Sequence, residues 1–454
     1  MKLAGACLAA LALAATLSVA ASASQGSAKP PAPSTAGKSE PAVRSKTPVT
    51  TSPTGYTLTP AERARAIAYS SAQDTDYFLG VALSILIYLL FWVGRVGVIL
   101  RDLARRVSSR HLAQCLVFAP LLLGAAALVQ LPLDYHSGFV LEHRYGLSTE
   151  TLSAWFADWG KSLVIEILAG TFLVWILYLL VRRSPRRWWL YFWLITIPLG
   201  LFVALMEPYV IEPLFFKFTP LDRAHPALVE RIEQMLHHAG LEIPPSRVYE
   251  MNASSKTREL NAYVSGFGPS KRVVVWDTTL RALNADETLE VLGHETGHYV
   301  LHHIVKEFAW DELVALIFFW LGFQTLQWAL GRFGQRTGLE GAGDLASLPL
   351  ILLLLTLLAF FSDPIVNAIS RYYEHQADQF ALEVTYGVVP NPNAAEAGAF
   401  QVIGQRDLSD PDPSPFIRFW LYSHPPIAER IRFAESYKPW AQGKPFALLP
   451  APHP

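Results

Sequence analysis

The stretch Leu292-Gly293-His294-Glu295-Thr296-Gly297-His298-Tyr299-Val300 follows a helical run from Ala285 to Val291 and carries a His-Glu-x-x-His arrangement. Residues i and i+4 share a helix face, so His294 and His298 can offer two imidazole nitrogens to one zinc ion while Glu295 projects beside them toward a water. That chemistry hydrolyses peptide bonds. The pattern also recurs by chance, and in an apolar chain with 13 His two helical histidines can equally be satisfied core residues. A catalytic zinc takes three protein ligands and keeps one open position, so a third ligand has to come from elsewhere.

The polar patch Asn367 to Asp378 supplies candidates. Glu374 would complete a His2Glu set, against the alternatives that His375 ligates instead or that Glu374 is a solvated helical acid. Asp378, one turn on, can accept a hydrogen bond from the second nitrogen of a ligating histidine and so set its tautomer. Farther on, His424 in His424-Pro425-Pro426 can donate to the oxyanion of a tetrahedral intermediate, and Arg430 can orient substrate or reinforce the same field. Both also suit a purely structural role beside a proline turn. An extended substrate needs an edge strand near such a centre, and Asn261-Ala262-Tyr263 is the candidate, a plain hairpin being the alternative.

These residues sit in a chain of 454 residues that is 52% apolar and 17% charged, with a mean hydropathy of +0.26, which places it in the membrane class. A net charge of -1 gives no reason to expect nucleic acid. Cys7 and Cys115 lie in hydrophobic segments, which excludes a disulfide framework and a cysteine metal site. Residues 1–23 have the parts of a signal peptide, the alternative being an uncleaved N-terminal anchor, and residues 24–55 read as a disordered linker. Thr59-Pro60-Ala61-Glu62 is a helix start.

Six segments have the apolar length of a bilayer core: about Tyr77 to Val93, Leu112 to Leu133, Leu163 to Val181, Trp188 to Leu205, Phe308 to Leu330 and Leu345 to Phe361. The short loops with Arg95, Arg101, Arg105, Arg106 and Arg110, and with Arg182, Arg183, Arg186 and Arg187, are predicted to be cytoplasmic. Parity then puts the acidic loop from Asp134 to Lys161, residues 206 to 307 and everything after 362 outside the cytoplasm. Helical spacing over Ala224 to His238, closed by Gly240, and β-branched runs at Arg247 to Tyr249, Leu260 to Val264 and Arg272 to Trp276 predict a soluble lobe with a small sheet. A helix from about Phe416 and another over Ile427 to Ser436 follow, then an irregular proline-rich tail. The division expected is 56–206 with four spans and an extramembrane loop, 207–307 as the first half of the lobe, 308–361 as spans five and six, 362–438 as the second half, and 439–454 as the tail.

The chain resembles the integral-membrane CAAX prenyl endopeptidase family, the type I CAAX proteases, over about residues 56 to 436. The resemblance rests on Glu207-Pro208, Ile211-Glu212-Pro213-Leu214-Phe215, Phe218-Thr219-Pro220-Leu221, Asn261-Ala262-Tyr263 with Gly266-Phe267-Gly268, and Lys271 to Val275 with Asp277-Thr278. It continues in His294-Glu295-x-x-His298, Asn367, Ser370-Arg371, Glu374, Ala377-Asp378, His424-Pro425-Pro426 and Arg430, together with Phe139 to Glu142 and Tyr145 to Ser148. It implies an α-helical integral membrane protein, a cage of transmembrane helices around an aqueous chamber, capped by a zincin-like lobe with a small β-sheet. It further implies one zinc ion on His294, His298 and Glu374, Glu295 as general base, Asn261 and Ala262 in the substrate strand, and His424 and Arg430 as stabilisers of the transition state or bound substrate. Family members cleave after a prenylated cysteine near a C-terminus, commonly have seven spans and usually turn the lobe to the cytosol. The charge pattern here expects a multi-pass protein of a bacterial plasma membrane, functional as a monomer, with its site on the periplasmic or outer side. The expected activity is zinc-dependent endopeptidase action on peptide or protein substrates in contact with lipid. The alternatives are quality control of misfolded, non-prenylated envelope proteins and a catalytically silent membrane scaffold.

Overall fold

The computed structural model describes residues 55–266 and 271–449. The signal-like segment, all of the linker but Gly55, Phe267-Gly268 and the last five residues of the tail lie outside the described residues.

The first helix, α1 (Pro60–Val93), opens on a closed capping box: Thr59 Oγ1 accepts from the Glu62 amide at 3.2 Å, and the Glu62 carboxylate accepts from the Thr59 amide at 2.8 Å. Arg95, in a left-handed conformation (φ 60°), turns the chain into α2 (Val96–Val107). Next come α3 (His111–Tyr135), α4 (Leu152–Arg183) and α5 (Trp188–Met206). The loop expected from Asp134 to Lys161 is mostly helical. A widened π turn at His136–Leu141 prolongs α3 to Arg144, and Thr151 caps α4 by accepting from the Ala154 amide at 3.2 Å.

The lobe begins with β1 (Phe218–Pro220), α6 (Pro226–His238), β2 (Val248–Met251), β3 (Ala262–Ser265), β4 (Arg272–Trp276), α7 (Asp277–Ala282) and α8 (Ala285–Val300). Two long helices, α9 (His303–Thr337) and α10 (Leu348–Thr385), return through the membrane region, and α11 (Pro392–Arg406), α12 (Pro415–Leu421) and α13 (Ile427–Ser436) finish the lobe. The sheet order is β1-β2-β4-β3, with β2 and β4 parallel (Val248 opposite Val273) and β3 antiparallel to β4 (Ala262 opposite Val275). Strand β1, three residues beginning at an aromatic and ending at Pro220, has no alternation to reveal it in sequence. Ala262, Val264, Val273 and Val275 share one buried cluster with Leu289 and Leu292, so the sheet is packed on α8.

Six helices are long and apolar enough to cross a membrane: residues 60–93, 111–144, 152–183, 188–215, 303–337 and 345–385. Their outward side chains, among them Leu79, Leu90, Leu116, Leu168 and Trp328, are apolar, while Asp134, Asp311 and Glu312 are buried away from the lipid-facing surface. The molecule has two distinct ends. At one, Arg101 meets Asp344 at 2.6 Å and Arg105 meets Glu340 at 2.7 Å, joining the basic loop before α3 to the loop between α9 and α10. At the other, Tyr69 donates to Glu142 at 2.7 Å and the Thr149 amide to the Lys256 carbonyl at 3.1 Å, joining the segment before α4 to the lobe.

α10 is one continuous helix of 38 residues. At 1.5 Å per residue it spans roughly 57 Å, well beyond a hydrocarbon core of about 30 Å, so the polar patch around Glu374 is the extramembrane end of the sixth span itself. It meets α8 at very short range. A Cβ on Gly293 would stand 3.2 Å from Ala381 Cα, and one on Gly297 3.0 Å from Phe380 Cβ. The tail departs from the irregular segment expected of it: Glu383 accepts from the amides of Ala447, Leu448 and Leu449 at 3.0, 2.8 and 2.8 Å, and Leu449 is buried.

Because the Gly293 contact is with backbone, a side chain there cannot be accommodated by a rotamer change. Gly293→Val is expected to destabilise the protein by roughly 1–3 kcal/mol, read as a lower Tm in detergent; an unchanged Tm would mean that α8 and α10 do not pack this closely.

Candidate metal centre

The helix α8 starts on an Asn284 capping box and carries Gly293 and Gly297 on the face against α10. The adjacent positions, His294 and His298, therefore meet α10 where Glu374 points back. His294 Nε2 lies 3.2 Å from Glu374 Oε2, His298 Nε2 lies 3.5 Å from Glu374 Oε1, and the two Nε2 atoms are 3.1 Å apart. One ligand atom from each of the three residues falls within 4.8 Å of the others, and all three side chains are buried. Glu374 is 0% exposed and neither carboxylate oxygen has a hydrogen-bond donor, because the neighbouring imidazoles approach without aligning an N–H on it. Such an orphaned buried carboxylate with two imidazole nitrogens turned to it is a donor set suited to a divalent cation.

Around the cluster, two chains of hydrogen bonds orient the histidines. His294 Nδ1 is 2.8 Å from Asp378 Oδ1, which leaves Nε2 free as a ligand atom. Burial alone would lower the pKa of this imidazole, but hydrogen bonds and charges from Asp378 and Glu374 outweigh it and raise the value to about 10. The site has an excess of negative charge that a bound cation would neutralise. Asp378 in turn accepts from Arg430, Nη2 at 2.6 Å and Nε at 3.0 Å, a fork that a planar guanidinium fills and a lysine could not. Arg430 lies 4.1 Å from the centroid of the Phe400 ring.

The second chain was not singled out in the sequence. His298 Nδ1 is 3.3 Å from His303 Nδ1, and His303 Nε2 is 3.2 Å from Gln376 Oε1. With His303 protonated on Nε2 and His298 on Nδ1, the arrangement is consistent and again leaves an Nε2 for the metal. The only trace in sequence is a histidine five residues after the motif, and only the helix break at His302 (φ 56°) turns it back.

The other candidates distribute as follows. Glu295 lines the open cavity beside the cluster, its Oε1 4.0 Å from His294 Nε2. His424 is half-exposed on the loop after α12, its Nε2 3.2 Å from Glu374 Oε1 and its Nδ1 2.9 Å from Ser423 Oγ. Strand β3 is at the edge of the sheet, paired with β4 only. Asn261, just before it, lines the same cavity as Glu295, and Ala262 is buried on the core. Tyr263 is turned to a different neighbourhood, donating to Glu212 at 2.9 Å. His375 packs against Phe433, ring centroids 4.4 Å apart, and takes no part in the cluster.

A bundle of membrane helices with a four-stranded lobe and a buried His-His-Glu cluster at their junction defines a membrane-embedded metallopeptidase. Residues 221–438 match the model of peptidase family M48, and residues 43–217 match that of the CAAX prenyl protease N-terminal region, described as five membrane helices. The uncharacterized metalloprotease YhfN of Bacillus subtilis is 37% identical over 83% of this chain and 86% of its own. CAAX prenyl protease 1 of Saccharomyces cerevisiae is 29% identical over 70% of this chain and 71% of its own. The crystal structure of S. mikatae Ste24p shares the fold, with a TM-score of 0.73 and 24% identity over 96% of this chain and 98% of that one. The chain belongs to peptidase family M48, and the expected CAAX-protease-like fold is the fold it has.

The two orienting chains should act on the metal rather than on the fold. Asp378→Asn and His303→Phe, the latter keeping the ring stacked on Tyr373, are each expected to weaken zinc binding by about 10–100-fold. Competition with a chelator measures it, and equal affinities would mean that neither residue orients a ligand.

Proposed function

We propose that this protein is a zinc-dependent endopeptidase in which His294, His298 and Glu374 hold the ion and Glu295 is the general base. The observation that carries the reading is the convergence of α8 and α10 on a fully buried, unsatisfied Glu374 with Glu295 beside it, facing an open cavity. When bound, zinc supplies Lewis acidity toward the scissile carbonyl and water. Glu295 takes the proton of the attacking water and returns it to the leaving amine. His424, half-exposed and mobile in chemistry as either donor or acceptor, donates to the developing oxyanion. Arg430 acts through Asp378: it holds the carboxylate that holds His294. The free edge of β3, entered through Asn261 and Ala262, pairs with an extended substrate backbone, and Tyr263 secures the strand from behind through Glu212.

The lobe is taken as 207–307 with 362–438, interrupted by spans five and six, and the enzyme acts as a monomer. We place the site on the extracytoplasmic side of a bacterial plasma membrane. Support comes from the two ends of the molecule: Arg101 and Arg105 lie with the loop between α9 and α10 at one end, while the cluster and the segment around Glu142 lie at the other. On that side the substrates are extended segments of envelope proteins, and a prenyl group is not required.

Glu295→Gln is expected to retain zinc and to lose about 10²–10⁴-fold in kcat on an unmodified peptide; undiminished turnover would remove Glu295 from the chemistry. In spheroplasts, a protease site placed in residues 100–110 should be protected and one after residue 438 cut from outside. The reverse accessibility, with cleavage confined to prenylated peptides, would favour the cytosolic processing that the name of the yeast relative describes.

A further inference from the structure

Beside the metal cluster lies a cavity of about 560 Å³, open on one side and lined by Asn261, His294, Glu295 and His424. Besides Glu295, six carboxyl side chains line it: Asp74, Glu259, Glu290, Glu396, Asp407 and Asp410. Among the described residues lining it, Arg430 is the one permanent cation, and its guanidinium is already committed to Asp378. Two of the acids are unusual. Glu290 on α8 and Glu396 on α11 are each 1% exposed, and all four of their carboxyl oxygens lack a hydrogen-bond partner. The Thr385 hydroxyl beside Glu290 donates instead to the Ala381 carbonyl at 2.8 Å. Burial pushes both acids well above the usual carboxylate range, so in the empty cavity they keep their protons.

We infer that Glu290 and Glu396 form the floor of a subsite that receives a lysine or arginine side chain of the substrate, making this a peptidase selective for a basic residue near the scissile bond. The inference rests on the endopeptidase reading given above. A primary ammonium brings three donors and a guanidinium five, the complement of carboxyl oxygens that no protein donor satisfies. On its arrival the two acids give up protons to solvent, and the charge-assisted hydrogen bonds form where little water competes. A second metal ion is a poorer occupant: among the described residues, His294, His298 and Glu374 are the one group of three or more metal-ligating side chains close enough to share an ion. Glu290 precedes the ligand His294 by one helical turn, roughly 6 Å, and two residues of an extended peptide cover about 7 Å. The selected side chain therefore belongs to one of the two residues on either side of the bond cut.

The test uses the full-length, zinc-loaded protein in lipid nanodiscs and one fluorescent peptide sequence carrying lysine, norleucine or glutamate at each of those four positions in turn. In the Glu295→Gln background, where turnover is blocked, the lysine peptide at one position is expected to bind at least about tenfold more tightly than the norleucine peptide, with glutamate weakest. Glu290→Gln with Glu396→Gln should bring that ratio to within about twofold, and the protein with Glu295 intact should rank the peptides in the same order of kcat/KM. Equal binding of lysine and norleucine at all four positions overturns the inference, as does a lysine preference that survives the double substitution. Should the double variant not fold, Glu396→Gln alone and the norleucine comparison decide the matter. Discrimination in binding without any cleavage by the unsubstituted protein would sink the endopeptidase reading and leave the cationic subsite standing; cleavage without discrimination would do the opposite.

Discussion

Glu374 is a carboxylate that reaches no water and receives no hydrogen bond, and leaving a charge in that state costs several kcal/mol. The cost is tolerable only if a cation occupies the space between the carboxylate and the two imidazoles that face it. Around this requirement the lobe is arranged. α8 brings two histidines, α10 brings the acid, and two glycines let the helices approach until side chains one residue away meet. Larger residues at either glycine would hold the helices apart and leave the acid without its counter-ligands.

A metal site needs ligands that do not rotate, and here each histidine is pinned from behind. The Arg430–Asp378–His294 chain draws on α13, α10 and α8, while the His303–His298 pair closes through Gln376 on α10. Every one of these orienting groups comes from a helix other than the motif's own or from beyond its break at His302. Since α10 is also the sixth membrane span, the element that carries the carboxylate and both its supporting polar groups is anchored along its length in the bilayer region. Rigid placement of this kind is what a centre without tolerance for misplaced ligands demands.

The same economy of partners does not extend to the neighbouring cavity. Where the metal cluster satisfies its histidines twice over, the cavity wall carries carboxyl groups with nothing to bind. Low polarity and unmet hydrogen-bonding capacity make such a wall responsive to what enters it, in contrast with the rigid centre alongside. A peptidase gains hydrolysis from the first kind of surface and discrimination from the second.

Local signals in the chain were enough to establish much of this. Apolar length located the six membrane helices, Thr59 through Glu62 marked the start of α1, and the β-branched run Arg272 to Trp276 delimited β4 without error. The spacing of His294 and His298 put them on one helical face, and the resemblance carried Glu374 and Asp378 to their side. These features are set by periodicity, capping and hydropathy, which act over a few residues. Tertiary structure alone decided the rest. It committed Arg430 to Asp378, enlisted His303 and Gln376 behind His298, turned Tyr263 toward Glu212, docked the tail on Glu383, and brought Glu290 and Glu396 to one cavity wall. Each of those depends on which helices pack face to face and how closely. Residues far apart in the chain, such as Glu290 and Glu396, carry no local mark of becoming neighbours until the glycines of α8 have let it settle against α10.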